Sequence, residues 1–247
     1  MSEQLFYLAV GALDATMQRL TATANNLANR GTTGFKAQQP VFAAQAFVGQ
    51  GLPDRVGVGV REESADFRDG PIEETGRSLD VAVKGAGWIA VQAADGSTAL
   101  TRNGSLAISA NGILQTADGH PVLGQNGAPI ALPPLQQVTI GSDGTISGVP
   151  QGQHPSQIAA LDRILLARPP NAALQRRADG LFRLTSGTPA ADAAVQLQVG
   201  ALEGSNADPV GLMMTMIETT RMFQMQTELL RNAANAAQGQ GSPLSLA

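Results

Sequence analysis

At 247 residues, with 43% hydrophobic and 15% charged residues, the chain can bury one large or two modest cores. A net charge of −4, with Arg176-Arg177 the only adjacent basic pair, argues against a general nucleic-acid binder. The absence of cysteine excludes disulfides and thiolate metal sites. The first predicted element is a helix over residues 3–29, about 40 Å long at 1.5 Å per residue. Phe6, Ala9, Leu13, Thr16, Leu20, Thr23 and Leu27 alternate by three and four along one side. Asn29, Arg30 and Gly31 are expected to close it through the left-handed turn that Asn and Gly tolerate. Small residues and threonines dilute the seam, so this helix should be marginal alone. Leu5 to Leu13 is apolar, but Glu3 stands where the basic start of a secretory signal belongs, and no cleavage site follows. No stretch reaches the ~18 apolar residues of a membrane span.

Residues 37 to 75 carry little periodicity and read as an extended connector, with a short strand at Val56–Val60. From Leu79 the pattern becomes β. Segments 79–83, 88–92, 98–102, 106–109 and 113–116 are punctuated by Asp95-Gly96, Asn103-Gly104, Asn111-Gly112 and Asp118-Gly119. Such pairs supply the positive φ angles of tight turns. Asn126-Gly127 and Asp143-Gly144 continue the rhythm, 157–167 reads as a strand ending at Pro169-Pro170, and 181–185 as another. The last predicted element is a helix from Asp208, its N-cap, and Pro209, its first helical position, to about Gly239. Met213, Met216, Thr220, Phe223, Thr227, Leu230, Ala234 and Ala237 form an a/d seam, while Met214, Ile217, Met222, Met225 and Leu229 fall outside it and need a second partner surface. The expected fold class is α+β, with N- and C-terminal helices pairing as a coiled-coil-like base and an inserted antiparallel all-β domain. The expected boundaries are 1–36 and 208–247 for the helices, 37–75 and 195–207 for the connectors, and 76–194 for the β domain.

Asn25-Asn26-Leu27-Ala28-Asn29 followed by Thr33-Gly34-Phe35-Lys36 resembles the N-terminal signature of the bacterial flagellar rod and hook proteins. Gly200-Ala201-Leu202-Glu203-Gly204-Ser205-Asn206 resembles that family's second signature, which introduces the C-terminal helix. Residues 76–88, then Thr101-Arg102-Asn103-Gly104, follow the outer-domain pattern, with Trp88 where phenylalanine is usual. Gly180-Leu181-Phe182-Arg183 and Arg221-Met222-Phe223-Gln224-Met225-Gln226 are similar to the proximal rod member, with the distal rod as nearest alternative. The resemblance implies a structural subunit of the flagellar basal-body rod, the drive shaft that crosses the periplasm. Its partners would be copies of itself, other proximal and distal rod subunits and the type III export apparatus. The implied assembly positions are Leu13, Leu20, Asn25, Asn26, Leu27, Asn29, Met213, Met216, Ile217, Phe223 and Leu230. The signature positions are Thr33, Gly34, Phe35, Lys36, Leu202, Glu203, Ser205 and Asn206, with Ser205 and Asn206 expected to act through the start of the C-terminal helix.

Catalytic readings are weaker. Gly85-Ala86-Gly87-Trp88-Ile89-Ala90 matches a dinucleotide fingerprint, but a strand rather than a helix is predicted to follow. His120 and His154 are the only histidines and sit beside prolines. Glu62-Glu63 and Glu73-Glu74 are adjacent acids, which point to opposite faces of a strand. No catalytic residue, cofactor, metal, nucleic acid or small-molecule substrate is therefore expected. Outside the family, the alternative is a membrane-surface or adhesive β protein, against which the helices lack a basic polar face.

Overall fold

A computed structural model of the chain describes residues 2–46, 56–152, 154 and 158–239. Parts of the predicted connector (47–55), the start of the 157–167 strand and the last residues of the C-terminal segment (240–247) lie outside the described residues. The chain divides into two compact units, the first formed by 1–28, 38–65 and 208–247, the second by 29–37 and 66–207.

Unit 1 contains α1 (Ser2–Ala28), the antiparallel strands β1 (Gln38–Ala46) and β2 (Val56–Ala65), and, at the far end of the chain, a second long helix, α2 (Pro209–Gly239). β1 and β2 pair from Gln38↔Ala65 to Ala46↔Val56, with one irregularity between Val41 and Phe42, inside the stretch read as connector. Asp208 caps α2 as expected, its carboxylate accepting from the backbone N–H of Val210 and Gly211, both at 3.1 Å. α1 does not close as expected. Among the described residues no non-glycine residue takes positive φ, and neither does Gly31; instead Thr32 N–H donates to the Asn29 carbonyl at 3.1 Å, and the first left-handed residue described is Gly34. The Thr32 hydroxyl, 3.1 Å from Asn29 Oδ1, holds this right-handed exit and removes the need for a left-handed residue.

The helices touch along a stripe in which the buried side chains are threonines and the larger apolar ones are half-buried. On α1, Thr16 and Thr23 are buried and Leu13, Leu20 and Leu27 half-buried. On α2, Thr219 is buried and Leu212, Thr215, Met216, Phe223, Gln226 and Leu230 half-buried. Thr16, Thr23 and Thr219 each donate to the carbonyl four residues back, at 2.7–2.8 Å. Their hydroxyls are thereby satisfied inside their own helix. Thr16 Oγ1 also lies 3.0 Å from the side-chain oxygen of Gln226. Met213, read as the first seam position, is 52% exposed. The inward stripe runs through 212, 216, 219, 223, 226 and 230, and at 100° per residue Met213 falls off its edge. The side chains of Phe6 and Ala237 lie outside the described ones.

Unit 2 is antiparallel β throughout. Its strands are β3 (Ile72–Glu74), β4 (Val81–Lys84), β5 (Trp88–Gln92), β6 (Thr98–Thr101), β7 (Leu106–Ile108), β8 (Leu114–Thr116), β9 (Leu135–Ile140), β10 (Thr145–Pro150), β11 (Ala159–Arg163), β12 (Leu166–Ala167), β13 (Leu174–Arg176), β14 (Phe182–Leu184), β15 (Gln196–Val199) and β16 (Ala201–Glu203). A five-stranded sheet in the order β12-β5-β6-β14-β13 lies with the three-stranded β11-β10-β9 and several two-stranded ribbons. The stretch read as return connector is paired: β15 lies against β4, and β16 against β3. One core holds Val81, Ile89, Leu106, Leu114, Val122, Ile130, Ile146, Ile164 and Leu197, all at 1% exposure or less.

Gly96, Gly112, Gly119, Gly127 and Gly144 take the positive φ their turns require. Asn103-Gly104 is the exception and forms no such turn. Gly104 is instead needed for close approach, because a Cβ there would stand 1.7 Å from the Val81 carbonyl oxygen. Leu114→Ala is expected to cost unit 2 about 2–5 kcal/mol. Denaturant unfolding followed by the fluorescence of Trp88, the only tryptophan, measures this.

Candidate functional site

The two signature segments meet inside unit 2, although they lie at opposite ends of the sequence. Lys36 and Glu203 are each 1% exposed and Arg102 is 3% exposed. Lys36 Nζ donates to Glu203 Oε1 at 2.7 Å and to the Arg68 carbonyl at 2.8 Å. Glu203 Oε1 also accepts from Gly70 N–H at 3.0 Å, and its Oε2 from Arg102 at 2.9 Å. The Arg102 guanidinium reaches the carbonyls of Val83 and Gly85 and, at 3.2 Å, the half-exposed Asp69, with its face 5.4 Å from the centre of the Trp88 ring. Burying such charges carries a large desolvation cost, offset only where each charge is paired and hydrogen-bonded. Here one carboxylate holds two cations and a backbone N–H.

The flanking signature residues close around this centre. Gly34 donates its N–H to the Glu203 carbonyl at 2.7 Å. It combines φ +69° with a hypothetical Cβ only 2.3 Å from the Arg102 backbone, so conformation and space both demand glycine. Phe35 lies under the Arg176 guanidinium, which also covers Phe182, with ring centres 4.9 and 5.1 Å away, and Arg176 donates to the Lys36 carbonyl. Trp88 packs at 4.8 Å on Phe182 and edge-on to Phe67. Asn206 does more than introduce α2. Its amide donates to the carbonyls of Asp66 and Arg68 at 2.7 and 2.9 Å, and its oxygen accepts from Ala37 N–H at 2.7 Å. Three chain segments are tied by one side chain. Ser205 Oγ accepts from Ala207 N–H, while Thr33 and Leu202 are half-buried beside the centre in sequence.

In unit 1 the comparable residue is Asn26, 5% exposed. Its amide donates to the Gln38 carbonyl at 2.9 Å and its oxygen accepts Gln38 N–H at 2.7 Å, so the side chain reproduces the bonds a neighbouring strand would make. Asn25 is exposed and Asn29 half-buried. The sequence pattern marked Asn26 and Asn206 but could not show their partners. Arg102, Asp69 and Arg176 had no assigned role in the sequence reading.

The fingerprint-like glycines join β4 to β5, with no helix at that place. His120 is half-buried and His154 exposed, and among the described residues no three potential metal ligands converge. Glu73 and Glu74 lie exposed on β3.

Three family models match: "Flagella basal body rod protein" over residues 6–36, "Flagellar hook protein FlgE/F/G D1 domain" over 82–148, and "Flagellar basal body rod FlgEFG protein C-terminal" over 198–238. The chain is 39% identical to the flagellar basal-body rod protein FlgF of Escherichia coli strain K12, over 95% of this chain and 96% of that one. It is 40% identical to FlgF of Salmonella typhimurium strain LT2, over 92% and 93%. The chain belongs to the FlgF family of flagellar basal-body rod proteins. A rod protein of the neighbouring type, FlgG of Buchnera aphidicola from Schizaphis graminum, is 29% identical over 92% of this chain and 94% of its own. In this FlgF-family chain, the first and third matches bracket the residues that meet at Lys36 and Glu203.

Replacing Glu203 by Gln retains the shape but leaves two buried cations short of a carboxylate. The expected loss is about 3–5 kcal/mol in unit 2, read from the Trp88 unfolding curve. Asn206→Ala orphans the Ala37 N–H and the Asp66 carbonyl and leaves the Arg68 carbonyl to Lys36 alone, so its cost should be smaller than this but measurable. Asp66 supplies a pH dependence. Hydrogen bonds from Arg68 hold its carboxyl below the usual carboxylate range against the opposing effect of burial. Its stabilising contribution is present above the ordinary pKa of about 3.9 and is lost as pH falls through the lower folded value. Asp66→Asn is expected to flatten that part of the acid-unfolding profile, modestly, because Arg68 is largely exposed.

Proposed function

We propose that this chain is a structural, non-catalytic subunit of the flagellar basal-body rod, placed in its proximal part. Its terminal helices would pack in coiled-coil fashion with those of neighbouring copies and of other rod subunits, and unit 2 would supply an outer layer. The chain would reach the periplasm through the flagellar type III export apparatus and use no cofactor. The observation that carries this reading is the contrast between the units. Unit 2 has a closed apolar core. Among the described side chains of unit 1, the buried ones are Thr16, Thr23, Asn26, Ala65 and Thr219, while Val210, Met213, Met214, Ile217, Met222, Met225 and Leu229 are 44–68% exposed on one helix.

A helix that exposes its large apolar residues and buries its small ones is not finished by its own chain. Contacts that repeat head to tail without closing generate a helical filament, the geometry a rod requires. The 39–40% identity to the FlgF proteins of Escherichia coli and Salmonella typhimurium, against 29% to the FlgG named above, favours the proximal position. A lipid-bound role is disfavoured, because the outward face of α2 carries Glu218 and Glu228 as well as Arg221 and Arg231. Among the described residues no helix is long and apolar enough to cross a membrane.

Phe223→Ala or Leu230→Ala should remove about 2–5 kcal/mol of packing if these positions become enclosed on assembly. The expected result is loss of incorporation into basal bodies with unit 2 still folded; normal incorporation of both variants would sink the assignment of the inward stripe. Quantitative mass spectrometry of purified basal bodies tests the wider reading. A copy number of about one turn of subunits supports the proximal rod, a severalfold larger number the distal rod, and absence overturns both.

A further inference from the structure

The chain contains seven methionines and no cysteine. Every sulfur atom is therefore a thioether, and five of the seven, Met213, Met214, Met216, Met222 and Met225, fall within thirteen consecutive residues of α2. Four of the five share the outward face: Met213 is 52% exposed, Met214 61%, Met222 44% and Met225 59%. Met216 points inward and is half-buried. At 100° per residue the four span the half-turn opposite the stripe of Leu212, Thr219, Phe223 and Leu230, interleaved with Val210, Ile217 and Leu229. Among the described side chains, the largest exposed apolar face of α2 is thus built mainly from the one apolar side chain that peroxide converts to a polar one.

We propose that Met213, Met214, Met222 and Met225 form an oxidation-sensitive patch that excludes oxidised subunits from assembly, an inference that rests on the rod reading above. The oxidant is hydrogen peroxide. The thioether sulfur attacks one peroxide oxygen, the S–O bond forms as the O–O bond breaks, sulfur is oxidised by two electrons, and the second oxygen leaves as hydroxide, which takes the proton of the transferred oxygen to become water. Each sulfoxide adds a strong, chiral hydrogen-bond acceptor to a surface that must be dry once covered, where an unpaired polar group is costly. The same flexibility that lets methionine fit unlike neighbours makes the sulfur accessible before assembly. Once covered, the sulfurs are out of the oxidant's reach, so the patch discriminates only among unassembled chains.

The test compares two pools from cells grown with and without sublethal peroxide: chain incorporated in isolated basal bodies, and unassembled chain. Peptide mass spectrometry reads sulfoxide at each methionine. The expected result is sulfoxide at the four outward positions that is about tenfold lower in the incorporated pool than in the unassembled pool, with a smaller difference at Met216. A fourfold variant, Met213→Leu, Met214→Leu, Met222→Leu and Met225→Leu, keeps an apolar face and should incorporate equally with and without peroxide, whereas the unsubstituted chain incorporates less under peroxide. Equal sulfoxide in the two pools overturns the proposal while leaving the rod reading intact, as does a fourfold variant that loses incorporation under peroxide as the unsubstituted chain does. Absence of the chain from basal bodies under both conditions overturns the rod reading itself, and this proposal with it.

Discussion

Two cations and one carboxylate, all almost without solvent, sit where the beginning and the end of unit 2 come together. Lys36 arrives on the segment that follows α1, Arg102 at the end of β6, and Glu203 at the end of β16. The desolvation these charges carry is offset only with the full set of partners in place, including the carbonyls of Arg68, Val83 and Gly85 and the N–H of Gly70. Such a site adds less to stability than it does to uniqueness of arrangement: a shifted strand pairing would leave at least one charge buried and alone. The glycine at 34 and the asparagine at 206 follow from it. One lets the backbone pass against Arg102, and the other binds the adjoining segments in register.

The two units solve the burial problem in opposite ways. Unit 2 fills its interior with branched aliphatic side chains on short strands, and Trp88, Phe67 and Phe182 seal one end around arginine faces. Unit 1 buries threonines between its helices, their hydroxyls bonded to carbonyls of their own helix, with leucines and Phe223 half-buried around them. The large apolar groups that face inward are only half-buried, and others, such as Met213, Met214, Ile217 and Leu229, lie outward.

Much of this was legible in the sequence, element by element. The helix periods, the Asp208-Pro209 start and the Asp-Gly and Asn-Gly turns are local features, and they were found where local rules place them. Asn103-Gly104 has the same letters as a tight turn but a different role, because its conformation is set by Val81, a residue from another strand. The exit of α1 was misread for a related reason: a threonine three residues on from Asn29 supplied the bond that a left-handed residue would otherwise secure. The signature residues could be marked by resemblance, but their chemistry could not, since Lys36 and Glu203 lie 167 positions apart and Arg102 lies between them. The strands at 196–203 were missed because short pairings with distant partners leave no periodic trace, and that at 38–46 because its glutamines, Pro40 and alanines carry little strand character.

That separation has a consequence in time. A chain that emerges N-terminus first, from a ribosome or through a narrow channel, presents Lys36 and Arg102 long before the carboxylate that neutralises them. Until residue 203 has emerged, closing the early strands would enclose Lys36 and Arg102 with only the half-exposed Asp69 as counter-charge, and the β15 and β16 edges would still be missing. Contacts between remote residues form slowly in any case, since the loop must close first. The buried ion cluster thus links the full closure of unit 2 to the arrival of its last strand, since only then does the shared carboxylate come into place.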